Sequence, residues 1–397
     1  MDLSPEQLKE ELKSIRPLIF CLSHSWGGLE QVAASDSIDL AALGVPVRFI
    51  CLQGSPIEQN LRKNSNVEIH ALDFEPRNTL DFDLKHELRE QISAGINLMH
   101  THQTSILGSI IPWIFFNRNI AAFATRHIMN DHDKTDFIHR AIYSRLDALI
   151  VMSETVKKNV LETHAIRERR VKVIKLGLDF DRFDPEKVDA RSQRALWGAD
   201  DETTVIGLVG RIDPAKGQET FIKAAAGLMR TLPGKKIKFV IVGEETLGSS
   251  GTFLEDLKKI VNQFGLDESV VFAGFQENIP EVMRAFDLFV MPSRQEAFGL
   301  VAIEAMAMEC PIIISSGGSA SEIVGNQEFG LTVRSEDAFD LQSRMRTLLD
   351  HPSLCAQMGK RARQHVVAHY DRGLRLKQTL DLYVRSIRRR EIFRRSF

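Results

Sequence analysis

The chain has 397 residues, too many for one ordinary hydrophobic core, so two domains are expected. Apolar residues make up 43% and charged residues 26%, an ordinary balance for a globular protein. A net charge of −2 excludes the global basic field of a nucleic-acid binder, so no nucleic-acid partner is expected.

The opening segment MDLSPEQLKEELKSIRP is polar and helix-prone. It lacks the basic start and apolar run of a signal peptide. Short apolar runs then alternate with amphipathic ones, the pattern of βα units around parallel sheets. Strands are expected at PLIFCL (17–22), VPVRFICL (45–52), VEIHAL (67–72), INLMH (96–100), AAFAT (121–125), ALIVM (148–152) and VKVIKL (171–176). Between them LKHELREQISAG reads as a helix with Leu84, Leu88 and Ile92 on one face. VMSETVKKNVLETH reads as another, with Ser153 as its N-cap. ILGSIIPWIFF (Ile106 to Phe116) is too short to span a bilayer and is expected as a buried helix.

The stretch Gly177 to Thr204 is charged, broken by Pro185 and without a strong period, and reads as a linker into a second domain. Strands resume at TVIGLVG (204–210), IKFVIVG (237–243), VVFAG (270–274), FDLFVMP (286–292) and CPIIIS (310–315), with helices between them. The expectation is two doubly wound α/β sheets in tandem, with ligands beyond the carboxyl ends of the strands and in a cleft between domains. Cys21, Cys51, Cys310 and Cys355 show no CxxC or zinc-type spacing, which fits a reducing cytosol. The histidines, concentrated in the first half, include no metal-type motif, so no metal is expected.

Three loops carry candidate chemistry. SHSWGGLEQV (Ser23 to Val32) places Gly27 and Gly28 between a strand and a helix start. Such a loop suits an anion at a helix N-terminus, and equally a plain strand-to-helix turn. RIDPAKGQETF puts Arg211 and Lys216 after a strand and before a helix, shaped by Pro214 and Gly217. Two cations there match a diphosphate. PSRQEAFGLVAIEAMAMECPIIIS holds Glu296 just after a strand and Glu304 inside an apolar helix. In an unbroken helix their spacing is about 12 Å along the axis. The paired carboxylates of glycosidases stand about 5 to 9.5 Å apart. Glu296 and Glu304 therefore read as grips on two parts of one extended ligand, each oxygen accepting a hydroxyl.

These residues resemble glycosyltransferase family 4, retaining enzymes of the glycosyl transferases group 1 type. Glu296 and Glu304 match that family's E-x7-E signature, and GRIDPAKGQETFIKAA resembles its G-R-x-x-x-x-K-G segment. GGLEQ resembles its first glycine loop. VKVIKLGLDFDRFDP resembles its N-G-V-D-x-x-x-F-x-P stretch, with Leu176 where Asn is usual. SSGGSASEIV resembles its G-G-x-x-E-I-V segment, with one additional residue before Glu322.

The resemblance implies a GT-B architecture, two Rossmann-like domains facing across a cleft. Residues 1–182 would form the acceptor-side domain and 183–375 the donor-binding domain, with 376–397 a helix returning to the first. It implies a hexosyltransferase that takes a nucleoside diphosphate sugar as co-substrate and needs no further cofactor. Arg211 and Lys216 would hold the diphosphate, Glu296 the transferred sugar and Glu304 the ribose. Phe298, Gly299, Leu300 and Val301 would offer backbone groups, and Gly27 and Gly28 would approach from the other domain. His127, in FATRHIMND, matches a histidine that lies against the donor sugar. Arg211, Lys216, Glu296 and His127 are the expected catalytic set. His24 and His102 are candidates for acceptor contacts.

The acceptor is expected to be a saccharide or lipid-linked precursor in polysaccharide or lipopolysaccharide biosynthesis. The expected location is the cytoplasm. The C-terminal arginines, with Ile392, Phe393 and Phe397, read first as a solvated tail, with peripheral contact to anionic lipid as the competing reading. A sugar phosphorylase or nucleotide-sugar epimerase of the same fold, or a non-catalytic donor-binding partner, are the competing functions.

Overall fold

The computed structural model describes residues 12–76, 81–129, 132–245, 252–294 and 296–395. The chain divides into two compact units: residues up to Leu176 together with Gly373 onward, and Gly177–Arg372.

The first unit holds strands β1 (Pro17–Cys21), β2 (Arg48–Leu52), β3 (Glu68–Leu72), β4 (Leu98–Thr101), β5 (Ala121–Arg126), β6 (Ala148–Val151) and β7 (Val171–Val173). They form one parallel sheet in the order β3-β2-β1-β4-β5-β6-β7. Strands β1, β4, β5 and β6 are buried along their whole length. That explains why they read as continuous apolar runs rather than alternating ones. Ser153 caps its helix as expected, its Oγ accepting from Val156 N at 3.1 Å. The apolar stretch after β4 forms the helix Leu107–Ile114, with Leu107, Ile110, Ile111 and Ile114 buried, while Phe116 just beyond it is exposed. No described helix is long and apolar enough to cross a membrane.

The C-terminal helix Arg372–Arg395 packs into this unit. Leu380, Tyr383 and Ile387 join the core beside Ile19, Phe49 and Phe123. Arg375 makes a bidentate pair with Asp36, at 2.8 Å and 2.6 Å, and both side chains are largely buried. Farther along, Asp147 accepts from Arg389 at 2.9 Å and also pairs with Arg390 at 2.5 Å. The terminal arginines are therefore partly used inside the fold rather than forming a wholly solvated tail. Ile392 is exposed; the Phe393 side chain and Phe397 lie outside the described residues.

The second unit holds β8 (Thr204–Val209), β9 (Ile237–Val242), β10 (Val270–Gly274), β11 (Leu288–Met291), β12 (Ile312–Ser315) and β13 (Leu331–Val333). Their order is β10-β9-β8-β11-β12-β13, all parallel. The edge strand β13 was not anticipated, because three residues following Gly330 carry too short an apolar run to register. The stretch from Gly177, read as the linker and the entry to the second domain, lies wholly within this unit. Phe183 and Trp197 are buried, and Trp197 stacks on Phe286 with ring centroids 5.4 Å apart. A short helix, Arg191–Leu196, sits between them, and Arg194 ties it to Ala285 O and Asp287. The unit boundary falls between Leu176 and Gly177, and the return between Arg372 and Gly373.

Candidate active site

In both sheets the strand order reverses beside the first strand of the unit, between β1 and β4 and between β8 and β11. Ligands of doubly wound sheets bind at such switch points. The loops following β8 and β11 carry Arg211, Lys216 and Glu296.

After β8 the chain makes a single 3-10 turn, Pro214–Lys216, capped by Asp213, whose carboxylate accepts from Ala215 N at 2.8 Å. Gly217 follows with φ +76°, and a Cβ there would stand 2.2 Å from Pro292 O. Only glycine permits that backbone and that approach. Arg294 N donates to Ala215 O at 2.9 Å, so the two loops brace each other. The buried Gln218 donates to Arg211 O at 2.6 Å.

This bracing delivers the central contact: Lys216 Nζ donates to Glu296 Oε2 at 2.9 Å, with both side chains about three-quarters buried. The Glu296 loop is held from beneath. Ser319 N donates to Glu296 O at 3.0 Å and Ser319 Oγ to Ala297 O at 2.5 Å. Gly318, at φ +63°, lies so close that a Cβ would stand 1.9 Å from Glu296 O. The helix Leu300–Ala307 starts only after Gly299, whose φ is +81°. Glu296 is therefore not on the helix of Glu304, and the unbroken-helix spacing does not describe the pair. No side-chain cap is seen at this helix start among the described residues, and Ala302 N donates to Gly299 O at 3.0 Å. Phe298 turns inward against Tyr370, with centroids 5.9 Å apart.

Glu304 is buried, and burial pushes its carboxyl up to about 8; the Arg182 cation opposes this. No hydrogen bond to its carboxyl is seen among the described residues. A carboxyl in an apolar helix without a close partner is costly, and a hydroxyl from a ligand would relieve that.

In the first unit Gly27 is the N-cap of the helix Gly28–Ala42. The buried Glu30 turns back so that Gly27 N donates to its Oε2 at 2.9 Å. One of the amides expected to meet an anion is thus engaged internally. His24 is exposed and bonded to Glu75 at 2.6 Å, on the rim of a cavity of about 350 Å³ that also takes in Gln53 and Asp73. His127 follows β5 and is half-buried. Its Nε2 stands 3.3 Å from His102 Nδ1. His102 is 1% exposed, so its expected direct contact with an acceptor is ruled out. Burial holds the His100, His102 and His127 imidazoles well below their usual range, hence neutral at physiological pH. Among the described residues no group of three or more His, Cys, Asp or Glu is placed to hold a metal ion.

The chain is similar to known proteins over most of its length. The family model described as glycosyl transferases group 1 matches residues 189–365, and that of glycosyltransferase family 4 matches residues 26–182. A D-inositol 3-phosphate glycosyltransferase of Nocardia farcinica is 32% identical over 59% of this chain and 53% of its own length. One from Corynebacterium urealyticum is 27% identical over 87% of this chain and 82% of its own. Over the first three such relatives the match spans 50% to 62% of the relative's length. Among solved structures, a glycosyltransferase from Rickettsia africae superposes with TM-score 0.84 at 19% identity, covering 94% of this chain and 98% of that one. HepE of Anabaena, solved with UDP and glucose, superposes with TM-score 0.78 at 20% identity, covering 92% and 98%.

Fold and motifs together define a two-domain α/β protein of the GT-B glycosyltransferase type. The chain belongs to glycosyltransferase family 4, its two halves matching the two models of that type.

Proposed function

We propose that this chain transfers a hexose-type sugar from a nucleoside diphosphate sugar to an acceptor hydroxyl, with retention of anomeric configuration. The observation that carries the reading is the Lys216–Glu296 pair at 2.9 Å on the β8/β11 switch point, with the buried Glu304 in the helix that follows.

In the free protein Lys216 and Glu296 neutralise each other. A diphosphate between Arg211 and Lys216 draws the ammonium toward itself, and Glu296 becomes free to accept hydrogen bonds from sugar hydroxyls. Glu304 accepts from the ribose. Negative charge gathers on the leaving diphosphate in the transition state, where Arg211, Lys216 and the first amides of the helix Leu300–Ala307 stabilise it without a metal. No residue is assigned as a covalent nucleophile; the departing phosphate takes the acceptor proton.

The acceptor is a saccharide or lipid-linked precursor of a polysaccharide or lipopolysaccharide. The relatives' names point to a phosphorylated polyol as the second candidate. The exposed Arg389 and Ile392 near the end of the C-terminal helix are the groups that would make peripheral contact with an anionic membrane from the cytoplasm. The test is transfer from UDP-, GDP- and ADP-sugars to these acceptors, with EDTA present. Turnover of the sugar nucleotide without any acceptor would indicate an epimerase instead.

A further inference from the structure

Behind His127 lies a row of buried polar side chains that the transfer chemistry does not use. His102 Nδ1 stands 3.3 Å from His127 Nε2. The other nitrogen, His102 Nε2, is buried without a hydrogen bond and faces Asp36 Oδ2 at 4.0 Å. Asp36 in turn receives the bidentate Arg375 of the C-terminal helix. Arg375 also donates to Ile174 O and Lys175 O, so the carboxylate cannot swing away without undoing that anchor. His100 packs beside His102, with ring centroids 4.6 Å apart and the planes tilted by 32°. It is itself pinned between Tyr383 and Thr125 at 2.5 and 2.7 Å. His102 is thus enclosed by His100, His127 and the Asp36–Arg375 pair.

Two neutral imidazoles that meet nitrogen to nitrogen share one proton, and its placement fixes both tautomers. If His102 donated through Nδ1, its bare Nε2 lone pair would face a carboxylate oxygen, lone pair against anion. If His102 carries its proton on Nε2, that N–H points at Asp36, and Nδ1 accepts from His127 Nε2–H. The second arrangement is favoured electrostatically, and the low dielectric of a buried site sharpens the difference.

We propose that Asp36 and His102 are positioning residues that hold His127 as its Nε2–H tautomer. Its Nδ1, on the far side of the ring from His102, is then an obligatory hydrogen-bond acceptor. The ligand group it suits is a hydroxyl, which can donate, and not a phosphate oxygen, which cannot. This assigns His127 to a sugar hydroxyl and leaves diphosphate binding to the second unit. The consequence for transfer rests on the function proposed above; the tautomer does not.

The test is long-range ¹H–¹⁵N correlation spectroscopy of the full-length protein labelled at histidine, at pH 7.5. His127 Nδ1 is expected to resonate as an unprotonated nitrogen and Nε2 as a protonated one. A protonated His127 Nδ1 would overturn the proposal. His102→Gln can present its carbonyl to His127 and its amide N–H to Asp36, so it should preserve the tautomer. His102→Phe offers no acceptor and should release His127 into a mixture of tautomers, with kcat lowered about three- to tenfold, the loss of one neutral hydrogen bond. If the Gln variant, folded by circular dichroism, shows the same mixture as the Phe variant, His102 does not set the proton. A correct tautomer in a protein that transfers no sugar would count against the function and leave this assignment standing.

Discussion

Lys216 and Glu296, far apart in the sequence, meet through a 2.9 Å hydrogen-bonded ion pair that closes the β8 loop onto the β11 loop. On the function proposed above, each partner is held by the other until the donor separates them. Lys216→Ala and Glu296→Gln should each lower kcat by about 10²- to 10³-fold, the range seen when a group stabilising developing charge is removed. The double variant should lose less than the product of the two, because the residues are coupled. Kinetics of the three variants, beside their circular dichroism spectra, check this. Full additivity would mean that the pair does not act as a unit.

Glu304 makes a prediction about stability. Its folded-state pKa, about 8, lies above the ordinary carboxyl value of 4.5. The folded protein therefore holds a proton that the unfolded chain releases. The stability this confers is fully present below the unfolded value and is lost as pH rises through about 8. Melting temperatures from pH 6 to 9.5 should fall more steeply for wild type than for Glu304→Gln. Parallel curves would show that the carboxyl is not held protonated. A ribose hydroxyl that donates to Glu304 favours the carboxylate, so donor affinity should rise across the same interval and do so less in the Gln variant.

Gly318 bears on the site through backbone alone. Gly318→Ala places a methyl group 1.9 Å from Glu296 O, at a φ of +63°. Strain of this kind is worth about 1 to 3 kcal/mol, and here its relief must push the Glu296 loop outward. The expected result is a lower unfolding midpoint in urea together with weaker donor binding. A destabilised variant with unchanged donor affinity would uncouple the two loops.

Arg375→Met should destabilise the protein by about 3 to 5 kcal/mol, since it leaves Asp36 buried without its partner. Asp36→Leu combined with Arg375→Met should recover much of that loss. Denaturation of both variants measures it. Equal losses in the two would mean that the pair contributes through packing alone.

How much of this was legible in the sequence follows from where the information sits. The twelve strands read from apolar runs are all present; the signal is unbroken in those buried along their whole length, such as β1, β4, β5 and β6. Lys216 and Glu296 were each visible beside a strand end, but not their contact, which depends on two loops bracing through Gly217, Pro292 and Gly318. The packing of the 177–204 stretch was not legible, because what fixes it, Trp197 on Phe286, is a tertiary stack with no local period. Asp36, His102 and Arg375 were invisible as a set. Their connection joins the first helix, the end of β4 and the C-terminal helix, and no spacing rule links residues so far apart. His102 was legible as a histidine near a strand end, but not its burial or its contact with His127.

The most direct test of the central claim is calorimetric titration of UDP-, GDP- and ADP-sugars into the wild-type protein and into Lys216→Ala. The account predicts that one sugar nucleotide binds the wild type and that its affinity falls at least about tenfold, roughly 1.4 kcal/mol, in the variant. Equal affinity for that donor in the two proteins, or no binding of any sugar nucleotide to the folded wild type, would contradict it.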